Sequence, residues 1–198
     1  WVSLSQQGME PVVAGRFHVR NQAEEAVPAG LVPLLVPAGR AFGTGQHETT
    51  SGCLAMLDRC RRIGERFDTI ADIGTGTGLL AFAALHLWPR ADIIASDIDP
   101  AAVEVSAQNA ALNGVKLGLG RGELALVTAP GADHGLIQAR APYALVIANI
   151  LAGPLIELAP SLGAITAEGG TLILAGLLEA QADVAPKFGP MSLYWMAI

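Results

Sequence analysis

The sequence predicts an α/β fold: a doubly wound, mostly parallel sheet with helices on both faces and a short β lead-in at the N-terminus. Three observations carry this expectation. Strand-like and helix-like runs alternate from residue 69 onward, which implies right-handed crossovers between parallel strands. The composition is 52% apolar and only 15% charged, as a sheet buried on both faces requires. A glycine turn, "DIGTGTG" at 72–78, separates the first strand of the series from its helix, the Rossmann-like arrangement.

Residues 1–40 hold two β-prone pieces, "RFHVR" (16–20) and "LVPLLVP" (31–37), divided by a polar stretch with Pro28 and Gly30. They predict a small extended or hairpin lead-in. From Glu48 the pattern is helical, with Leu54, Leu57 and Ile63 near helical spacing and Gly64 as a stop. "TIADIG" (69–74) is then a strand, "GLLAFAALHLW" (78–88) a helix and "DIIASD" (92–97) a strand. "PAAVEVSAQNAALN" (100–113) is a helix with proline in its first turn. "KLGLG" (116–120) is expected to be a short strand, followed by a loop-rich insert with Pro130, Gly131 and Gly135. "YALVIAN" (143–149) is a strand, "LAGPLIELAPSLGAI" (151–165) a helix and "GGTLILAG" (169–176) a strand. "LLEAQADVAPKF" (177–188) is a helix and "MSLYWMAI" (191–198) the last strand.

The 198 residues suffice for one domain with a sizeable core. A net charge of −6 argues against unspecific nucleic-acid binding, which needs a phosphate-neutralising surface. Cys53 and Cys60 are seven apart and can share one helix face as buried thiols; neither a disulfide framework nor a CxxC pair exists. A reducing, cytoplasmic setting is the expectation. No apolar run reaches the roughly 18 residues of a membrane span, and no signal-peptide pattern opens the chain. Because it begins at Trp1, the chain is expected to be a fragment.

Glycines at 74, 76 and 78 let the backbone turn tightly and come close to a ligand. The following helix aims its N-terminal N–H groups and positive dipole end at this turn. Asp97 ends the second strand, where a carboxylate can accept both hydroxyls of a ribose. Capping of the next helix falls to Asp99, beside Pro100. A dinucleotide fingerprint starting at Gly74 needs glycine at position 79; that residue is Leu79, and glycine falls at 78 instead. The D-x-G-x-G-x-G form is similar to the first motif of S-adenosylmethionine-dependent methyltransferases.

Asn149, in "VIANILAG" (146–153), ends the fourth strand and faces the same crevice; its other reading is a cap for the helix near Leu151. The Asn-Pro-Pro-aromatic run of base-methylating enzymes is missing, since Ile150, Leu151 and Ala152 follow Asn149. This tilts the acceptor towards a non-aromatic amine. In "AFGTGQHETT" (41–50), Gly43 and Gly45 let the loop fold over a ligand while Phe42 walls off water. Hydroxyls at Thr44, Thr49 and Thr50 suit a polar ligand end. His47 could act as a base but more often such a residue bonds the backbone. His18, His86 and His134 suggest no metal site, and Trp88 and Trp195 read as packing.

Together, "AFGTGQHETT", "DIGTGTGLLAFAA", "ASDIDPAAVEVSAQNAALNGV" and "ANILAGPLIELAPSL" resemble the PrmA family, from about Trp1 into the last strand. The resemblance implies methylation of amino groups, on lysine side chains or the N-terminal amine, of a large-subunit ribosomal protein. It implies S-adenosyl-L-methionine as cofactor, held by Thr50, Gly74, Asp97 and Asn149, with Gly76, Phe42 and Gly43 lining the same place. Asn149 is the expected catalytic residue, orienting a neutral amine through nearby carbonyl groups while water takes the proton. Residues 1–40 correspond to the lead-in, 41–198 to the catalytic domain, and the family's N-terminal substrate domain is expected to be absent. The expected protein is a cytoplasmic monomer without direct nucleic-acid or membrane contact. A lysine methyltransferase for another protein, a Rossmann-type NAD-dependent dehydrogenase and a binding module without turnover are the alternatives.

Overall fold

A computed structural model describes residues 11–37, 48–177 and 192–197, with Leu177 and the last strand described by backbone alone. Three strands form the lead-in sheet: β1 (Val12–Ala14), β2 (Phe17–Arg20) and β3 (Val32–Leu35), in the order β1-β2-β3. The main sheet has six strands in the order β6-β5-β4-β7-β8-β9. They are β4 (Thr69–Ile73), β5 (Asp92–Asp97), β6 (Leu124–Thr128), β7 (Tyr143–Asn149), β8 (Thr166–Leu177) and β9 (Ser192–Ala197). Every neighbouring pair in it runs parallel. The helices are α1 (Glu48–Arg62), α2 (Leu79–Leu87), α3 (Pro100–Leu112), α4 (Gly135–Arg140) and α5 (Ala152–Ile165).

Strand residues alternate between two cores. Ile70, Ile93, Leu145, Ile147 and Ile173 face one side with Leu54 and Leu57 of α1 and Phe82 of α2. Ala71, Ile73, Ile94, Val146, Leu172 and Leu174 face the other with Leu155 and Leu162 of α5. A sheet covered on both faces needs near-continuous apolar strands, which is what the sequence shows. Cys53 and Cys60 are buried on α1 and unpaired, and burial pushes the Cys53 thiol up to about 12. Among the described residues, no helix is long and apolar enough to cross a membrane.

Four details differ from the sequence expectation. Residues 116–120 are not a strand; they curl around the Glu123 carboxylate, which accepts from Gly120 N–H at 2.9 Å and pairs with Lys116. The strand at that edge is β6, and α4 follows it within the segment expected to be loop-rich. Ile63 lies beyond the end of α1 and is 59% exposed, so it is no core position. In the lead-in the hairpin joins β1 to β2, turning at Gly15, whereas β2 and β3 pair in parallel. Of the expected helix at 177–188, Leu177 is instead the last residue of β8, and 178–188 lie outside the described residues.

The lead-in sheet is docked firmly. The Asn113 side chain acts as a strand partner for Leu35, accepting from its N–H at 2.8 Å and donating to its carbonyl at 2.7 Å. Asp58 of α1, 4% exposed, pairs with Arg16 of the lead-in and with Arg62. Gly15, at φ +58°, lies so close that a Cβ there would approach Asp58 Cβ to 2.7 Å. Leaving Arg16 without its carboxylate costs stability, and partial exposure of Arg16 moderates the loss. Asp58→Ala is therefore expected to lower unfolding free energy by about 2 kcal/mol in urea titrations; an unchanged midpoint would show that the lead-in is held without the Arg16–Asp58 pair.

Candidate functional site

The sheet runs outward from β4 through β5 to β6 and then resumes on the other side of β4 with β7. Helix α2, after β4, packs on one face, and α5, after β7, packs on the other. In open α/β sheets, loops leaving such adjacent strands part, and a crevice is expected beyond their carboxyl ends. The glycine loop comes to it from β4, Asp97 from β5 and Asn149 from β7.

Gly74, Gly76 and Gly78 have φ of 75°, 57° and 85°, a region that residues bearing a Cβ rarely adopt. A Cβ on Gly74 would also come closer than 3.0 Å to Ile150 Cγ2, and one on Gly78 closer than 3.0 Å to the Phe82 ring. Gly74 and Thr75 both donate their N–H to the Ser96 carbonyl at 2.8 Å. Gly76 N–H donates to Asp97 Oδ2 at 2.9 Å. From the other side, Ser106 donates to the Gly76 carbonyl at 2.8 Å and Asn109 to the Thr77 carbonyl at 3.0 Å. The loop is therefore fastened to β5 and α3. Helix α2 starts at Gly78 with no side-chain cap, so its positive end stays turned to the loop.

Asp97 is half-buried, and its Oδ1 accepts from the Asp99 N–H at 3.0 Å. Each carboxylate oxygen has capacity for a second donor, so two neighbouring hydroxyls can still be accepted. Asp99 caps α3 as expected, accepting from Ala101 N–H at 2.9 Å. Asn149 does not cap α5, whose N-cap is Leu151 without a side-chain bond. Its Nδ2 instead donates to Thr50 Oγ1 at 3.0 Å. Thr50 is 2% exposed in the first turn of α1, so the start of that helix reaches the end of β7. The bond turns the amide nitrogen towards Thr50, and among the described residues Oδ1 has no hydrogen-bond donor beside it. Phe42, Gly43, Thr44, Gly45 and His47 lie outside the described residues.

Sequence reasoning gave no role to Asp72, although it begins the glycine motif. Its side chain is 1% exposed; Oδ2 accepts from the Thr75 hydroxyl at 2.6 Å, while Oδ1 is buried without a partner. Burial pushes its pKa up to about 6, against the pull of the Thr75 hydroxyl and the Ala81 amide, and nearby Asp97 adds to the rise. The sequence signal was an acid among the apolar residues of a predicted strand, two residues before Gly74. Among the described residues, no group of three or more His, Cys, Asp or Glu could hold a metal ion.

Residues 1–188 match the family model described as "Ribosomal protein L11 methyltransferase (PrmA)". The chain belongs to the PrmA family. A ribosomal protein L11 methyltransferase of Mesorhizobium japonicum is 45% identical over 184 residues, covering 92% of this chain and 61% of the relative. One from Brucella suis is 42% identical over 184 residues, covering 92% and 62%. The chain thus spans about three-fifths of the length of these PrmA relatives. The crystal structure of a ribosomal protein L11 methylase from Lactobacillus delbrueckii subsp. bulgaricus superposes with a TM-score of 0.65 at 28% identity, covering 84% of this chain and 78% of that one. A precorrin-6y C5,15-methyltransferase from Geobacter metallireducens shares the fold, with a TM-score of 0.55 at 19% identity over 72% of this chain and 70% of that one. The glycine-loop crevice of this PrmA chain thus sits in a methyltransferase-like sheet, and the dehydrogenase alternative is not favoured.

The raised Asp72 pKa has a definite linkage sign. The folded state holds this proton more tightly than the unfolded chain, so the contribution of Asp72 is fullest below the unfolded value of 3.8 and is lost as pH rises through about 6. Asp72→Asn is expected to remove that loss, gaining stability over the parent between pH 5 and pH 8 by at most on the order of 3 kcal/mol. Parallel pH profiles of parent and variant in urea titrations would contradict the assignment.

Proposed function

We propose that this chain is the catalytic part of an S-adenosylmethionine-dependent protein methyltransferase that modifies amino groups of ribosomal protein L11 in the cytoplasm. The carrying observation is the convergence of the glycine loop, Asp97 and the Thr50–Asn149 pair on one crevice in a chain of the PrmA family. In this reading residues 41–198 are the catalytic domain and 1–40 the lead-in.

The residues present fit the methyl donor. Asp97 retains acceptor capacity for ribose hydroxyls, and Ile98 beside it, 71% exposed, offers an apolar surface for a planar base. The unpartnered Asp72 Oδ1 is an acceptor near the start of α2, matched to a ligand bearing an ammonium group. Gly74 keeps the loop surface free of a Cβ. Gly74, Gly76 and Asp97 would hold the cofactor, with Thr50 and Asn149 beside it on the acceptor side; Phe42 and Gly43, expected to line the same place, lie outside the described residues.

Bound S-adenosylmethionine supplies a methyl group already activated on a sulfonium. The task of the chain is to present a neutral amine in line with the S–CH₃ bond. A lysine with an ordinary pKa of about 10.4 is almost wholly protonated at neutral pH. Shielding from water lowers that pKa. Asn149, its amide turned by Thr50, accepts a hydrogen bond from the incoming amine through Oδ1 and aims the lone pair. Water takes the proton.

Mass spectrometry of L11 incubated with the full-length protein and labelled S-adenosylmethionine is expected to show added methyl groups on amines; unmodified L11 would refute the assignment. Asn149→Ala should lower kcat by about 100-fold while cofactor affinity changes less than about threefold. Equal losses in both would make Asn149 a cofactor clamp. Asp97→Ala should weaken S-adenosylhomocysteine binding at least about tenfold in calorimetry, whereas unaltered affinity would place the ribose elsewhere.

A further inference from the structure

Strand β7 lies between β4 and β8, and its last residue, Asn149, pairs with Ala175 of β8. On the β4 side, the register from Asp72↔Ile147 continues towards Gly74 beside Asn149. The turn Asn149–Ile150–Leu151 therefore leaves the sheet between two glycines, Gly74 and Gly176. Both contacts are made by Ile150, in different ways. A Cβ on Gly74 would come closer than 3.0 Å to the Ile150 side chain, at Cγ2. A Cβ on Gly176 would come closer than 3.0 Å to the Ile150 backbone carbonyl oxygen, with Leu151 Cα at 3.7 Å.

Gly176 is also where β8 breaks register with β9, which resumes only at Leu177↔Ala197. Its φ of 97° marks a glycine bulge, a device that bends a strand end and makes room beside it. The room is filled by the Ile150 carbonyl. Such a seat is rigid, because the atom that an added methyl group would meet belongs to the main chain and no rotamer change can withdraw it.

We propose that Gly176 is a positioning residue for methyl transfer: by seating the Ile150 carbonyl it fixes the turn that carries Asn149, without touching the donor side of the crevice. The proposal rests on the methyltransferase reading and deepens it. Gly74 and Gly176 then divide their work. Gly74 couples the turn to the cofactor loop through a side chain, and Gly176 couples it to β8 through the backbone.

This division is testable with three variants of the full-length protein, assayed for methyl transfer to L11 and for S-adenosylhomocysteine affinity. Gly176→Ala is expected to reduce kcat at least about thirtyfold with affinity unchanged within about threefold. Ile150→Ala, which removes the Cγ2 that Gly74 must avoid, is expected to restore part of the activity lost in Gly74→Ala and none of that lost in Gly176→Ala. In NMR spectra, Gly176→Ala is expected to shift the Asn149 side-chain amide while the Gly76 amide stays in place. A Gly176→Ala variant with parental kcat, or a matching loss of kcat and affinity, overturns the proposal. So does rescue of Gly176→Ala by Ile150→Ala. Should Gly176→Ala fail to give a cooperative melt, Leu177→Gly decides, because it loosens the backbone of the bulge without filling the seat: it should lose about tenfold in kcat at unchanged affinity, and parental kcat overturns the proposal. A parent protein without methyl transfer overturns the functional reading and the proposal together.

Discussion

The hydrogen bond from Gly76 N–H to the Asp97 carboxylate joins the two features on which the crevice depends. A glycine loop alone is a floppy segment, and a carboxylate at a strand end alone is an ordinary surface group. Joined, each holds the other in position. The Ser96 carbonyl, accepting from both Gly74 and Thr75, repeats the fastening one residue earlier in β5. The loop therefore approaches a ligand as part of the sheet, and ordering it at binding costs little conformational entropy. The positive φ values of Gly74 and Gly76 follow from this fastening, since the main chain must bend back to place its donors on β5.

The acceptor side has its own anchorage. Asn149 is turned by Thr50 from α1, which also carries Asp58, the partner of Arg16 in the lead-in sheet. One helix thus links the lead-in to the end of β7. Leu54 and Leu57 secure that helix to the sheet between these two contacts. The donor side rests on β5 and α3 and the acceptor side on α1 and β8; they join where β4 pairs with β7, and at the end of these strands Ile150 lies against Gly74. Under the proposed function, this division predicts that substitutions on one side alter turnover while leaving donor affinity intact.

Much of this was legible in the residues. Alternating apolar segments with glycine or proline at their ends marked β4, α2, β5, α3, β7 and α5 closely, because both faces of the sheet demand apolar strands. Asp99 as a cap and Asp97 as a crevice group could be told apart by the proline at position 100. Less legible was whatever depends on partners distant in sequence. Strand β6 was missed although "LALVT" is the more β-prone run, its Val and Thr outweighing the two glycines of "KLGLG"; in the fold Glu123 turns back onto that glycine segment. The Thr50–Asn149 bond spans 99 residues, so local pattern left capping open beside the crevice reading of Asn149 and could not name its partner. Asp72 went unassigned because its significance lies in an unpaired oxygen, a property of the packed interior. Gly176 looked like an ordinary strand end, and its role emerges only with the carbonyl seated against it.

The central claim is that one carboxylate braces the glycine loop and receives the nucleoside of the methyl donor at the same time. A crystal structure of the protein with S-adenosylhomocysteine tests it most directly. The account predicts ribose oxygens within hydrogen-bond distance of Asp97 while Gly76 N–H still donates to the same side chain. A nucleoside bound elsewhere, or an Asp97 that must release Gly76 to receive it, would contradict the account.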